Sequence, residues 1–332
     1  MLMNCVSRRP LAALTGGVLA AALALTGCAG ADTAEDDGRL QVLASFYPLQ
    51  YITEEIGGDL VTVTSLTPEG AEPHDLELSP AKAREVGDAD LVVYLSDFQP
   101  AVDAAIAARE PAHLVDAADS ANLQAHELQG THEHEGDEHS EEEHADEHAE
   151  EHTADDGHDH GELDPHFWLD PTRLAAVSKD VVAELSAVDP ENAETYAARG
   201  AELEASLLEL DAELTAGLSQ CTSKVLVTTH EAFGYLADRY GLEQVGISGI
   251  DPDAEPSPAR IKEVSATIRD RGVTTIYFET LISPKVAQTL ANDLGITATV
   301  LDPLESLSDP DGDYRGVMLA NLEALRTGLG CA

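Results

Sequence analysis

Residues 224–247 read KVLVTTHEAFGYLADRYGLEQVGI. An apolar, β-branched run (224–229) is followed by a helical stretch (231–240), then Gly241 at a helix C-cap position, then a second short run (242–247). Strand, helix and strand in so few residues imply a crossover between parallel strands, in a sheet covered by helices. The pattern continues outward. Ser257-Pro258 opens a helix to about Asp270, 273–278 (VTTIYF) is a strand, Ser283-Pro284 opens a helix to Leu294, 296–301 is a strand, and 312–329 is a last helix. Towards the N-terminus the alternation recurs, with strands at 40–46, 60–66, 91–95 and 112–116 and helices at 47–57, 79–86 and 100–109.

Between the halves the texture changes. From Pro190 to Leu218 the chain is rich in Ala, Glu and Leu, and Leu203, Leu207, Leu210 and Leu214 fall at spacings of four, three and four. This is one long amphipathic helix. At 1.5 Å per residue it spans roughly 43 Å, longer than one domain needs. It is expected to join the halves as a rigid rod, the alternative being a helix packed within one half. The expected fold class is therefore α/β: two lobes, each with a parallel β-sheet flanked by helices, joined by one long rigid linker helix. The expected organisation is an N-terminal lobe (40–189), the linker helix (190–218) and a C-terminal lobe (219–332).

Ahead of the first lobe, Arg8 and Arg9 precede an apolar run from Leu11 to Leu25 that ends in Leu25-Thr26-Gly27-Cys28. A basic flank and a short apolar core read as an export signal over 1–27. The ending resembles a bacterial lipobox, which makes Cys28 the lipidated first mature residue. Residues 28–39 then form a flexible tether, so the mature chain is expected outside the cell membrane, lipid-anchored to it. Of four cysteines, Cys5 leaves with the signal and Cys28 takes lipid. Cys221 and Cys331 remain, an even pair in an oxidising compartment and so an expected disulfide.

The 332 residues carry 63 Asp+Glu against 18 Lys+Arg, a net charge of −45. Such acidity argues against nucleic acid as a partner and is permissive for cations. Residues 126–162 hold 16 of the acids, no Lys or Arg, and nine of the 13 histidines: His126, His132, His134, His139, His144, His148, His152, His158 and His160. With that −16 removed from −45, the rest of the chain carries −29. Composition this polar cannot bury a core, and the loop 124–162 is expected to be disordered without metal and to bind it weakly.

Outside the tract only His74, His113, His166 and His230 remain. His74, His166 and His230 lie just beyond expected strands or in their loops, where open parallel sheets place ligands. His113 lacks such context and reads as surface. Three neutral imidazoles and one carboxylate suit a tetrahedral zinc site. Asp302, at the end of strand 296–301, is the fourth candidate. Glu279, at the end of strand 273–278, is the competing carboxylate and reads better as a support behind a ligand.

The segments Ala44–Leu49, Glu69–Asp75, Asp164–Pro171, Thr229–Tyr235 and Leu301–Leu304 resemble, in this order, those of zinc/manganese-class (cluster A-I, zinc-type) solute-binding lipoproteins of ABC transporters. The resemblance runs from about residue 40 to 330. It implies two α/β lobes joined by one long helix, with metal in the cleft: His74 and His166 from the first lobe, His230 and Asp302 from the second. It also implies an ABC permease and its ATPase as partners. Members similar to manganese receptors carry Glu at the third position, where this chain has His230, and the His/acidic tract is similar to the insertion of zinc-type members. Zn2+ is thus the expected cargo, captured for import by a monomer with modest lobe closure. The alternatives are a manganese or other divalent-metal receptor, or a metal-buffering or adhesin lipoprotein. A zinc hydrolase would need an open water position, and no HExxH helix or nucleophile elbow supports an enzyme.

Overall fold

Two sheets grow from the two runs of short β-branched strands. The computed structural model describes residues 38–125, 163–309 and 312–332. The expected signal, Cys28, nearly all of the tether and the nine tract histidines lie outside the described residues.

In the first half, β1 (Leu40–Ala44), β2 (Val61–Ser65), β3 (Leu91–Tyr94) and β4 (Leu114–Asp116) pair entirely in parallel in the order β2-β1-β3-β4. Helices α1 (Tyr47–Gly57), α2 (Pro80–Asp88), α3 (Pro100–Arg109) and the single turn α4 (Ala118–Ala121) follow the successive strands. The helices α5 (Pro171–Val188) and α6 (Ala193–Leu218) come next. The second half repeats the plan. Its strands β5 (Val225–Thr228), β6 (Glu243–Gly246), β7 (Thr275–Phe278) and β8 (Thr297–Val300) are again parallel, in the order β6-β5-β7-β8. They are followed by α7 (Gly234–Tyr240), α8 (Pro258–Arg271), α9 (Lys285–Leu294) and α10 (Tyr314–Leu329).

The helix starts follow local chemistry. Ser79 caps α2 by accepting the Lys82 N–H, and Ser257 caps α8 by accepting that of Arg260, each with Pro at the first helical position. Asp170 and Asp313 cap α5 and α10 in the same way.

Two differences from the sequence expectation matter for the site. Residues 231–233 are not helical. Tertiary hydrogen bonds hold that backbone instead: Thr229 N–H donates to the Tyr277 carbonyl at 3.0 Å and Glu231 N–H to that of Gly249 at 2.9 Å. His230 therefore sits in an open loop between β5 and α7. The long helix is also shorter, because 190–192 form a separate 3₁₀ turn and α6 runs for 26 residues.

Packing decides what α6 does. Its Tyr196, Leu203, Leu207, Leu210, Leu214 and Leu218 are buried. They belong to one large core shared by α1 and α5 of the first half and α7 and α10 of the second. Two smaller cores cover the remaining sheet faces, one at Leu43, Leu66, Val86, Val92 and Val102, the other at Val225, Val227, Val264, Ile268 and Ile276. The helix thus joins the lobes by packing against both. At Gly200 a Cβ would come within 2.4 Å of Val182 Cγ2, so the glycine permits the close approach of α5 and α6.

Side-chain bonds also cross between lobes. Trp168 Nε1–H donates to the Pro303 carbonyl at 2.7 Å, Tyr314 O–H to that of Trp168 at 2.6 Å, and Tyr235 O–H to that of Asp164 at 2.8 Å. A disulfide joins Cys221 to Cys331, tying the start of the second lobe to the chain end. Among the described residues, no helix is long and apolar enough to cross a membrane.

Candidate metal centre

Three loops at the carboxyl ends of strands converge. The loop after β2 brings His74, the loop after β5 brings His230, and the loop after β8 brings Glu305; His166 enters from the segment leading into α5. The ligand atoms of these four side chains all lie within 4.8 Å of one another. Glu305 Oε1 is 2.9 Å from His166 Nε2, 3.4 Å from His74 Nε2 and 3.5 Å from His230 Nε2, and His230 Nε2 is 3.4 Å from His166 Nε2. Donors at about 2.0–2.1 Å from a tetrahedral zinc ion are about 3.3 Å apart. Four of the six donor–donor distances, at 2.9–3.5 Å, are close to the edge of that tetrahedron, and all six lie within 4.8 Å.

Burial makes these groups depend on one another. His166, His230 and Glu305 are 0–1% exposed, whereas His74 is 15% exposed. Two of the imidazoles are held from behind. Asp164 Oδ1 lies 2.7 Å from His166 Nδ1, and it also accepts the His166 backbone N–H. Glu279 Oε1 lies 2.5 Å from His230 Nδ1 and accepts the Thr229 hydroxyl at 2.7 Å. A carboxylate on Nδ1 fixes the ring and leaves Nε2 free for a metal.

The same carboxylates set the electrostatics. Burial by itself would lower the pKa of His230, but Glu279 and Glu305 outweigh it and push the group up to about 10. His166 is raised for the same reasons, with Asp164 the main partner. Burial would raise Glu305; hydrogen bonds from the three imidazoles instead hold it well below the usual carboxylate range. Nearby Glu72 is pushed up to about 8, by burial first and by the Glu305 charge second. Glu305 Oε2 is buried without a hydrogen-bond partner. A buried carboxylate whose Oε1 faces three nitrogen donors fits a divalent cation.

Asp302 is not in this cluster. Its Oδ1 accepts the Leu304 N–H at 2.8 Å, and its backbone is clamped on both sides by Asn321 at 2.9 and 2.7 Å. Leu304 then takes a left-handed backbone with φ 59°, which reverses the chain and aims the next side chain inward. Asp302 shapes the turn, and the carboxylate that meets the imidazoles belongs to Glu305. Glu279 lies behind His230. His113 is half-exposed at the far side of the first lobe, with Nδ1 2.7 Å from Glu184 Oε1.

Residues 42–328 match the family described as zinc-uptake complex component A, periplasmic (ZnuA). The chain belongs to this family. It is 36% identical over 300 residues to the high-affinity zinc uptake system protein ZnuA of Bacillus subtilis, covering 88% of each. It is 38% identical over 304 residues to the zinc-binding protein AdcA of Streptococcus pyogenes serotype M3, covering 87% of this chain and 56% of AdcA. The chain thus spans little more than half the length of the first curated relatives it matches. The solved Zn(II)-bound ZnuA-like domain of Streptococcus pneumoniae AdcA has a TM-score of 0.69 and 32% identity, covering 88% of this chain and 99% of that domain. The four donors come from this chain's own loops.

Proposed function

We propose that this chain is an extracytoplasmic zinc receptor. It captures one Zn2+ in the cleft with His74, His166, His230 and Glu305 and delivers it to an ABC permease and its ATPase for import. The observation that carries this reading is the convergence of three imidazole donors and one carboxylate oxygen within 4.8 Å of one another, within a ZnuA-family fold. Four protein donors leave no open water position, which favours a receptor over a hydrolase. Three nitrogen donors favour zinc over manganese, which prefers oxygen ligands.

The chain works as a monomer, anchored through lipid on Cys28 after removal of residues 1–27. The lobes are 40–189 and 219–332, with 190–218 between them. The histidines of the loop 124–162 act as a weak collector that raises the local zinc concentration. Deleting 126–160 is expected to leave cleft affinity unchanged and to slow uptake when zinc is scarce; unchanged uptake would remove the collector role.

Isothermal titration of the purified chain lacking 126–160 tests the cleft itself. One zinc per chain is expected. Glu305→Ala should weaken binding by more than the 10–100-fold typical of losing a partner behind a ligand. Asp302→Ala should fall within that range, because it disturbs only the turn. A larger loss from Asp302→Ala than from Glu305→Ala would reverse the assignment.

A further inference from the structure

Two of the three cluster imidazoles have a carboxylate on Nδ1; His74 does not. Among the described residues no side chain hydrogen-bonds its Nδ1, and it is the most exposed member of the cluster. It also borders a cavity of about 520 Å³, together with Asp75, Phe98 and Asp251. What positions His74 is therefore its loop. Ala71 N–H donates to the Pro68 carbonyl at 3.1 Å, closing a turn in which Gly70 has φ 69°. Glu72 Oε1 accepts the His74 N–H at 2.9 Å, and Gln99 Nε2–H donates to the Pro73 carbonyl at 3.2 Å. All of these bonds stay within the first lobe.

A further bond crosses the cleft. Gly70 N–H donates to Ser306 Oγ at 2.8 Å, joining residues 236 apart in sequence. Ser306 is 4% exposed and directly follows Glu305. The loop carrying the least supported imidazole is thus tied to the segment carrying the carboxylate. We propose that Ser306 is a positioning residue, whose hydroxyl latches the His74 loop to the Glu305 segment across the cleft and thereby sets how long a bound ion stays. This rests on the zinc reading given above. The latch acts on departure rather than arrival: an ion leaves only when a ligand lifts away, and lifting His74 means breaking the Gly70–Ser306 bond. The geometry leaves space for a conservative change, because a pocket of about 30 Å³ lies beside Ser306, lined also by Tyr47, Ser65, Thr67 and Leu307.

Zinc-loaded protein is mixed rapidly with an excess of a chromogenic chelator to read the dissociation rate, and apo protein with zinc to read the association rate. Ser306→Ala should release zinc about 3–10-fold faster, the range expected for one net hydrogen bond, with association unchanged. Ser306→Thr, which keeps the hydroxyl, should release at the wild-type rate. Ser308→Ala removes a hydroxyl that bonds Thr280 rather than the loop, and should also match wild type. Equal release from Ser306→Ala and wild type, with one zinc still bound to each, would overturn the latch and leave the zinc site standing. A change confined to association, or equal acceleration by Ser308→Ala, would also overturn it. Failure of the wild-type chain to bind zinc would overturn the site itself.

Discussion

At the residue scale, the cluster is a set of bases that hold protons until metal displaces them. His230 is raised to about 10, so its imidazole holds a proton in the metal-free site at neutral pH, and His166 is shifted in the same direction by Asp164 and Glu305. Zinc needs both imidazoles neutral. The sign follows: protons compete, so apparent affinity falls as pH falls and climbs as pH rises towards the His230 pKa. Calorimetry at pH 7 in buffers of different ionisation enthalpy should show protons released with each zinc bound; a buffer-independent heat would contradict this. Glu279→Gln removes the carboxylate behind His230 and should weaken zinc roughly 10–100-fold. His74, His166 and His230 are legible as candidates from sequence, because each stands in a short polar or Pro-containing motif, two of them in loops that follow strands. Glu305 is not. Asp302 stands where a strand-end ligand belongs, and the reversal that promotes Glu305 depends on a leucine in a left-handed conformation that pattern reasoning gives to glycine or asparagine.

At the element scale, the strand–helix alternation makes both parallel sheets readable, because fully covered strands are short apolar runs between turn signals. Strand ends differ by a residue or two, as fraying leads one to expect. Helix α5 is not announced by that alternation, although Leu174, Val177, Val181 and Leu185 do face the core at helical spacing. It falls between the ligand motif at His166 and the long helix, where no strand brackets it. The start of α7 was equally hidden, since tertiary bonds rather than helix propensity decide residues 231–233. Two stability predictions belong here. Leu210→Ala opens a cavity in the core shared by both lobes and should cost about 2–5 kcal/mol in chemical denaturation. Reducing the Cys221–Cys331 bridge, which spans a sequence separation of 110, should cost roughly 4–5 kcal/mol if chain entropy dominates. Thermal unfolding with and without reductant checks the second; an unchanged Tm would show that the bridge contributes little.

At the scale of the whole molecule, one core runs through α1, α5, α6, α7 and α10, so the lobes are not two balls on a hinge. Ligand capture should therefore leave the overall shape nearly unchanged. Small-angle scattering is expected to give the same radius of gyration for apo and zinc-loaded protein within error, and a wide closure would contradict the shared core. The net charge of −45 also divides: −16 sits with the tract histidines, and of the acids that make up the −29 elsewhere only Glu305 belongs to the donor cluster. The most direct test is anomalous diffraction at the zinc edge from crystals of the zinc-loaded chain. A single strong peak is predicted, about 2.0–2.2 Å from the Nε2 atoms of His74, His166 and His230 and from a Glu305 carboxylate oxygen. No peak at that cluster, or a peak ligated by Asp302 in place of Glu305, would contradict it.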